Sequence, residues 1–304
     1  MRIALFGTNG LLGGYLEKVF SDADVFTWAS DDVDIRDVEA VREQCSATTP
    51  DIIINAAAYN AVDEAERSAE ASEQAFSLNS KAVHGLAEVA ASLGAVLIHF
   101  STDYVFDGKK GDEYNEDDIP NPLSVYGRSK REGEEILIKA GERGLSYYLV
   151  RTSRLFGLSG RNKKAKRSFP DLVLTRAAET NSLSFIDGSE ISSPTYAADL
   201  AAAVRGLVVN RPPSGIYHRT NQGSCSWYDF AKAVLDNSEH YTTNEAIKGK
   251  KYIELLPVAA ADVPRPAPRP KFSALTSIRL PLLRPWQDAL IEYLSAAEHD
   301  KLAS

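Results

Sequence analysis

A tyrosine and a lysine stand four positions apart in SVYGRSK, residues 124–130, at the start of a helix-like run. On an α-helix, Tyr126 and Lys130 would share one face, one turn apart, and could reach the same bound molecule. A phenol has a pKa of roughly 10, so a nearby cation is needed for efficient acid–base exchange near neutrality. Alone, the pair is better explained as an exposed helical face, because both residue types are common. Other parts of the chain have to decide.

The fourth predicted strand ends in STDYVFDG, which places Ser101 and Thr102 at the carboxyl edge of a sheet, where ligands bind in doubly wound folds. Thr102, Tyr126 and Lys130 together suit the reduction of a ketone. The hydroxyl would hold the carbonyl oxygen, the phenol would donate the proton, and the ammonium would ease phenolate formation. Each strand-end hydroxyl could equally be a cap that is hydrogen-bonded to its own loop.

A glycine-rich turn, GTNGLLG at residues 7–13, follows the first predicted strand and opens the first helix. Gly7, Gly10 and Gly13 allow a tight turn, close approach of the backbone to a phosphate, and close packing of helix on strand. The helix amino terminus supplies N–H groups and a partial positive charge for an anion. The turn therefore predicts nucleotide binding.

Short apolar runs alternate with helical stretches up to about residue 155, which is the pattern of buried parallel strands in βαβ units. It predicts an α/β fold with a Rossmann-like doubly wound parallel sheet. We expect an NAD(P)-binding domain over 1–155, with 196–215 packing back onto it, and a smaller α/β substrate-binding lobe mainly over 156–304. The proline-rich stretch VPRPAPRPKF is predicted to lie extended over a surface.

The second predicted strand leaves the choice of nicotinamide cofactor open. In dinucleotide sites an acid at the end of this strand often binds the ribose hydroxyls. Here the strand runs out at Ser30, with Asp31 and Asp32 just beyond, so that acid is displaced or absent. No arginine stands there to bind a 2'-phosphate either. We expect either NADPH or NADH.

Composition excludes several classes of protein. The 304 residues are 44% hydrophobic with a formal charge of −8, which argues for a globular enzyme and against a nucleic-acid or anionic-membrane partner. No segment has the length of a membrane span, no signal peptide is recognisable, and Cys45 and Cys225 lack metal-ligand spacing, so we predict a cytoplasmic protein without a metal site. The basic run RNKKAKR, 161–167, is predicted to be a mobile loop rather than a phosphate-binding arm.

Taken together, GTNGLLG, NAAAYNAVDEAE, STDYVFDG, PNPLSVYGRSK and RTSRLFG resemble the extended short-chain dehydrogenase/reductase superfamily, and within it the dTDP-4-dehydrorhamnose reductases. The later stretches SSPTYAADLA, GIYHRTNQGSCSWYDFA, RPKFSAL and LRPWQDAL extend the similarity over nearly the whole chain. The resemblance implies hydride transfer from NADPH or NADH to C4 of dTDP-6-deoxy-L-lyxo-4-hexulose, a dTDP-linked 4-keto-6-deoxy sugar, giving dTDP-L-rhamnose.

The resemblance also implies roles for individual residues. Tyr126 would protonate the C4 oxygen, Lys130 would bind the nicotinamide ribose and lower the pKa of Tyr126, and Thr102 would orient the carbonyl. Besides the Tyr–Lys pair, the expected cofactor-binding residues are Gly7, Asn9, Gly10, Leu11, Leu12, Gly13, Ser30, Asp34, Ile35, Ala56, Ala57, Ala58, Tyr59, Asn79 and Ser101. The expected substrate-binding residues are Thr102, Asp103, Val105, Phe106, Tyr126, Arg154 and Trp227, although Trp227 could equally be a packing residue of the second lobe.

The chain departs from its relatives at Tyr15, where some carry an acid that helps to bind magnesium at a dimer contact. We therefore expect a monomer or a homodimer that is not bridged by metal. Two alternatives stay open. The protein could reduce the 4-ketone of another deoxy nucleotide sugar, or it could be a non-catalytic regulatory subunit like the related one that binds methionine adenosyltransferase.

Overall fold

The computed structural model describes residues 1–158 and 167–303, with side chains up to residue 297. The basic run at 161–167 lies outside the described residues except for Arg167. The strands are β1 Arg2–Phe6, β2 Asp24–Trp28, β3 Ile52–Asn55, β4 Val96–Thr102, β5 Tyr147–Thr152, β6 Leu155–Phe156, β7 Ser182–Ile186, β8 Thr195–Tyr196, β9 Gly215–His218, β10 Asn221–Gln222, β11 Tyr241–Thr242, β12 Lys251–Tyr252, β13 Glu254–Val258 and β14 Leu283–Pro285. The helices are α1 Leu11–Val19, α2 Val38–Thr48, α3 Ala69–Phe76, α4 Ala82–Leu93, α5 Val125–Glu142, α6 Phe169–Glu179, α7 Ala197–Asn210, α8 Trp227–Asn237 and α9 Trp286–Ala303.

The main sheet has the order β2-β1-β3-β4-β5-β9, and every neighbouring pair is parallel. Its central strands are continuous β-branched and aliphatic runs such as Ile52–Asn55, which is buried along its whole length. Such runs form strands that are covered by helices on both faces. The predicted doubly wound parallel sheet is confirmed.

Two apolar clusters cover the two faces of this sheet. One contains Val41 of α2, Leu86 of α4 and Leu137 of α5, which pack on one side. The other contains Leu16 of α1 and Leu200 of α7, which pack on the opposite side. The late segments α7 and β9 thus belong to the main sheet and its covering helices. Helix α7 packs on one face of the sheet, and β9 extends the sheet beside β5. The predicted domain boundaries stay a prediction.

A third apolar cluster lies among the later elements. Phe156, Phe230 and Tyr293 are fully buried there, and α6, α8 and α9 contribute most of its side chains. Tyr15 of α1 packs against both this cluster and the one that contains Leu16 and Leu200, and its hydroxyl accepts a hydrogen bond from the Leu158 N–H at 2.9 Å. In the part of the chain that the structure describes, no helix is both long and apolar enough to cross a membrane.

Candidate active site

A cleft of about 550 Å³ opens along the carboxyl ends of β1, β3, β4 and β5. We call it the nucleotide cleft. It brings together residues from Gly7 to Leu155, 148 positions apart in the sequence, because parallel strands all end at the same edge of the sheet. The predicted site residues that line it are Gly7, Asn9, Gly10, Leu11, Leu12, Ser30, Asp34, Ile35, Ala56, Ala57, Ala58, Ser101, Thr102, Tyr126, Lys130 and Arg154.

The glycine turn packs closely against the neighbouring backbone at two of its glycines. Gly7 has φ +85°, and a Cβ atom there would lie 2.5 Å from the Ala57 nitrogen. At Gly13 a Cβ would lie 2.3 Å from the Gly7 carbonyl oxygen, so this glycine permits the turn to pack on the helix without lining the cleft itself. Helix α1 begins after Gly10 without a side-chain cap or an acid in its first turn, so its amino terminus suits an anion such as a pyrophosphate.

The far end of the nucleotide cleft is lined by Ser30, Asp34 and Ile35, which follow β2. The hydrogen bonds of Arg36 hold the pKa of the Asp34 carboxyl below its usual value, and the two side chains meet at 2.5 Å. Asp32 instead stabilises the turn that follows β2, since its carboxylate accepts a hydrogen bond from the Ala29 N–H at 2.9 Å. These geometries fit a dinucleotide, with the ribose near Ser30 and Asp34.

Tyr59 and Asn79 lie outside the lining of the nucleotide cleft. Asn79 sits in a π-helical turn, Ser77–Lys81, between α3 and α4. Its amide accepts a hydrogen bond from the Tyr59 N–H and donates one to the Tyr59 carbonyl, both at 2.9 Å. It also donates to the Ser129 hydroxyl at 3.0 Å. Asn79 therefore ties the loop after β3 to α5, which is a supporting position behind the cleft.

The start of α5 is held firmly, and this fixes where Tyr126 points. The Ser124 hydroxyl accepts a hydrogen bond from the Gly127 N–H at 3.0 Å, and Glu66 accepts one from the Val125 N–H at 2.6 Å. Gly127 lets the helix approach the 3₁₀ turn that follows β4, because a Cβ there would lie 2.4 Å from the Tyr104 carbonyl oxygen. Tyr126 consequently faces the nucleotide cleft beside Thr102.

The pKa of Tyr126 is raised, whereas the motif resemblance implied that Lys130 would lower it. Burial is the main cause; a hydrogen bond with Thr102 works against it, and the charge of Asp103 adds to it. The Nζ of Lys130 donates a hydrogen bond to the Phe100 carbonyl at 2.7 Å. Its ammonium is thus held by the backbone of β4.

Lys130 is only 3% exposed, and burial lowers the pKa of its ammonium to about 8, while the charge of Glu134 acts in the opposite direction. A group with this pKa changes its charge close to neutral pH. It can therefore donate hydrogen bonds to a ribose as an ammonium and still exchange a proton with its surroundings.

A second cleft of about 270 Å³ adjoins the first, and we call it the substrate cleft. Thr102, Tyr126, Ser153 and Arg154 line both clefts. The phenol and the strand-end hydroxyl therefore lie at the junction of the two spaces. Asp103 and Trp227 also line the substrate cleft, and burial raises the pKa of Asp103.

Arg154 is held between the two lobes in a backbone conformation that is uncommon for a residue with a Cβ, φ +41°. Its guanidinium lies 3.9 Å from the centre of the Trp227 ring, and it donates to the carbonyls of Cys225 at 2.9 Å and Glu190 at 2.6 Å. The Trp227 Nε1–H in turn donates to the Glu190 carboxylate at 3.1 Å. Trp227 thus packs within the lobe and borders the cleft at once.

Val105 and Phe106 do not line either cleft. Both are fully buried and pack with Tyr114 and Leu275 in a small separate core. The chain turns inward directly after Thr102 through a 3₁₀ turn, Asp103–Val105, which directs these side chains into the interior. The expectation that they contact the sugar nucleotide is therefore not supported by their position.

Several lining residues of the substrate cleft were not expected from the motifs. The proline-rich segment crosses the cleft, and its Arg269 forms an ion pair with Asp63 at 2.7 Å. Its Arg265 forms an ion pair with Glu190. The hydrogen bond from Arg269 lowers the pKa of Asp63. The arginines between the prolines were the only feature of the sequence that pointed to a charged contact here. The sequence does not show which surface such a segment crosses.

Residues 1–299 match the family model described as the RmlD substrate binding domain. The chain belongs to this family. It is 35% identical to the dTDP-4-dehydrorhamnose reductase of Aggregatibacter actinomycetemcomitans, over 98% of this chain and 99% of that protein. It is also 35% identical to a protein of Streptomyces antibioticus named probable dTDP-4,6-dihydroxy-2-methyloxan-3-one 4-ketoreductase, over 98% and 97% of the two chains.

A solved structure of a related reductase has the same fold over nearly its whole length. The dTDP-4-dehydrorhamnose reductase of Bacillus anthracis, determined in complex with NADP, superimposes with a TM-score of 0.84 at 29% identity. The superposition covers 97% of this chain and 99% of that one. The family expected from the sequence motifs is therefore confirmed over both lobes.

Proposed function

We propose that this RmlD-family protein is an NAD(P)H-dependent reductase of the C4 ketone of dTDP-6-deoxy-L-lyxo-4-hexulose, also called dTDP-4-dehydrorhamnose, with dTDP-L-rhamnose as the product. The observation that carries the proposal is the junction of the two clefts at Thr102 and Tyr126. A ketone in the substrate cleft would meet these two hydroxyls at the same place where a nicotinamide in the nucleotide cleft would end.

The nicotinamide cofactor, when bound, supplies the hydride that reduces the carbonyl carbon. The residues of the chain provide the remaining steps. Thr102 orients the carbonyl oxygen, and the Tyr126 O–H bond breaks as its proton passes to that oxygen, leaving a phenolate. The Lys130 ammonium, buried beside the cleft, stabilises this negative charge and binds the ribose. The phenol is protonated before the reaction, as an acid must be, and because burial raises its pKa, the phenolate needs the nearby ammonium as a stabilising charge.

The proposal is tested by incubating the protein with the dTDP-linked 4-keto-6-deoxy sugar and either NADH or NADPH. Loss of the reduced-nicotinamide absorbance and formation of dTDP-L-rhamnose, identified by NMR, are the expected results. Tyr126→Phe removes the proton donor and should lower kcat at least about 100-fold, while NADH binding by fluorescence titration stays nearly unchanged. Retained turnover in Tyr126→Phe would refute the acid role.

A second candidate is the reduction of the 4-ketone of a different deoxy nucleotide sugar. It is favoured by the Streptomyces antibioticus relative, whose printed name describes another 4-ketoreductase at the same identity. A panel of 4-keto nucleotide sugars under the same assay separates the two candidates by kcat/KM. A regulatory subunit would bind nicotinamide without turning over any member of the panel.

We further propose a cytoplasmic location and a monomer or homodimer.

A further inference from the structure

A buried acid lies next to one of the proposed catalytic hydroxyls. Asp103 directly follows Thr102, is 3% exposed, and lines the substrate cleft. Within the described residues, the hydrogen bonds that its carboxylate accepts come from hydroxyl groups and not from a lysine or an arginine. Because burying a carboxylate is costly unless its oxygens are hydrogen-bonded, these hydroxyls decide where the oxygens of Asp103 lie.

The two oxygens of Asp103 have different partners. Its Oδ2 accepts a hydrogen bond from the Ser273 hydroxyl at 2.5 Å, whereas its Oδ1 accepts one from the Thr102 hydroxyl at 3.2 Å. Burial raises the pKa of Asp103, and the hydrogen bond from Ser273 is the largest effect in the opposite direction. Ser273 is therefore the main partner that holds this carboxylate.

Ser273 is itself held in place by backbone hydrogen bonds. It directly follows the proline-rich segment that crosses the substrate cleft, and its side chain is 2% exposed. The Ser273 N–H donates to the Ile191 carbonyl at 2.8 Å, and the next carbonyl, that of Ala274, accepts from the Tyr114 N–H at 2.8 Å. The hydroxyl of Ser273 therefore approaches Asp103 from a firmly anchored stretch of chain.

The Thr102 hydroxyl is bound from two directions. Its Oγ1 accepts a hydrogen bond from the Tyr104 N–H at 3.2 Å and donates one to Asp103. Thr102 lies with Tyr126 at the junction of the two clefts. The orientation of its hydroxyl matters there, because hydrogen bonds weaken steeply as their angle bends. A chain of contacts from Ser273 through Asp103 to Thr102 thus reaches the place where a ketone would bind.

We propose that Ser273 is a positioning residue that, by holding Asp103, fixes the orientation in which the Thr102 hydroxyl meets a ketone. The long bond between Thr102 and Asp103 lets the Thr102 hydrogen turn to the ketone oxygen, while Asp103 stays bound to Ser273. Without the Ser273 hydroxyl, Asp103 would turn towards Thr102 and compete with the ketone for that hydrogen. This inference rests on the proposed reductase function.

The test is Ser273→Ala, which removes the hydroxyl and keeps the backbone. Hydride transfer is measured as oxidation of the reduced nicotinamide cofactor in a single turnover with the dTDP-linked 4-keto-6-deoxy sugar, so that product release does not limit the rate. The maximal rate should fall about tenfold, because the hydrogen bond that holds the carboxylate is lost.

Binding should be affected much less than the rate. The sugar concentration that gives half the maximal rate and the affinity for the cofactor should each change by less than about twofold, since Ser273 acts on the orientation of Thr102 and not on binding. An unchanged rate would overturn the proposal. Weaker binding of the sugar at an unchanged maximal rate would overturn it too, because Ser273 would then contact the sugar nucleotide itself.

The matched control is Ser277→Ala, four positions further along the same stretch of chain. The Ser277 hydroxyl also donates to a buried carboxylate at 2.5 Å, but that acid is Glu116, which lines neither the nucleotide cleft nor the substrate cleft. This variant loses the same kind of hydrogen bond and should keep the wild-type rate of hydride transfer. An equal loss in both variants would show a general loosening of the stretch and would overturn the proposal.

A double-mutant cycle tests whether Ser273 acts through Asp103. Asp103→Ala removes both acceptor oxygens and should itself slow hydride transfer. Adding Ser273→Ala to Asp103→Ala should then lower the rate by less than about twofold, because the link is already broken. Two losses that multiply would mean that the residues act independently, and the proposal would be wrong.

A second variant keeps the test decisive if Ser273→Ala does not fold. Ser273→Cys keeps a side chain of similar shape that is only a weak hydrogen-bond donor. Its rate of hydride transfer should therefore lie below that of the wild type. A wild-type rate in Ser273→Cys would reject the positioning role.

The outcomes also separate this inference from the proposed function. A wild-type protein that reduces no 4-keto nucleotide sugar contradicts the proposed function, and the role of Ser273 is rejected with it. A wild-type reductase whose rate is unchanged in Ser273→Ala keeps the proposed function and rejects only the role of Ser273.

Discussion

The buried ammonium of Lys130 makes a prediction in which stability and ligand binding respond to pH in opposite directions. The pKa of Lys130 falls from its ordinary value of 10.5 to about 8 because burial penalises the charged form. Between these two values the unfolded chain holds the proton and the folded chain does not. Folding stability from this group therefore rises with pH across this window, whereas NADH binding, in which we expect the ammonium to contact the ribose, should weaken.

The magnitude follows from the size of the shift. A change of one pKa unit corresponds to about 1.4 kcal/mol, so the fall to about 8 corresponds to about 3 kcal/mol. The side chain is only 3% exposed, and solvent screening therefore does not reduce this figure substantially. Below pH 8 both states hold the proton, and the contribution stays constant.

The assay compares the wild type with Lys130→Met by urea unfolding at several pH values from about 7 to about 10.5. Taking the difference between the two proteins cancels the titration of all other groups to first order. Relative to the variant, the wild type should gain about 3 kcal/mol over this range. Lys139→Met, which removes an exposed lysine from the same helix, is the control for loss of a charge.

A difference that stays constant within about 0.5 kcal/mol from pH 7 to pH 10.5 would refute the reasoning, because it would mean that Lys130 titrates at its ordinary value in the folded protein. NADH titrations on the wild type complete the test. They should show the affinity falling as the pH rises through about 8, in the range where the stability begins to increase.

Two further predictions concern the nucleotide cleft. Gly7→Ala should weaken NADH binding at least about tenfold and lower the melting temperature, because a Cβ would meet the Ala57 backbone at 2.5 Å and the residue has a positive φ. Gly14→Ala in α1, where a Cβ meets nothing within 4 Å, should keep NADH binding and stabilise the protein by about 0.5–1 kcal/mol; equal loss in both variants would contradict the role of the turn. NADH should bind about tenfold more tightly than NADPH by calorimetry, because Asp34 lines the far end of the nucleotide cleft and Arg36 is already paired with it; tighter NADPH binding would contradict this assignment.

The sheet and the nucleotide cleft were predictable because their signals are local. The run Ile52–Asn55 is apolar at every position, as expected for a strand that is buried on both faces, and the glycines after β1 occur where the backbone needs a positive φ or close packing. Tyr126 and Lys130 share a helical face by spacing alone. Once the strand order is doubly wound, all these residues must meet at one edge of the sheet.

Closeness in sequence to Thr102 was a poor guide to which side chains lie near the substrate cleft. Val105 and Phe106 follow Thr102 closely, yet the 3₁₀ turn after β4 directs both into the core. The effect of Lys130 on the pKa of Tyr126 stays a prediction, because burial is the main cause of the raised pKa. The spacing of the lysine predicts that the two side chains share a face, but it cannot show that the ammonium is held by the Phe100 carbonyl.

The sequence by itself determined the family, the parallel sheet, the glycine turn and the Tyr–Lys face, since each depends on residues within a few turns or one strand of each other. Only the tertiary structure shows which residues line the substrate cleft and which charged side chains pair behind Tyr126 and Lys130. Asp63 meets Arg269, and Glu134 meets Arg151, through contacts between segments that the local pattern does not relate. Burial then sets the strength of those charges, and burial is a property of the packed molecule.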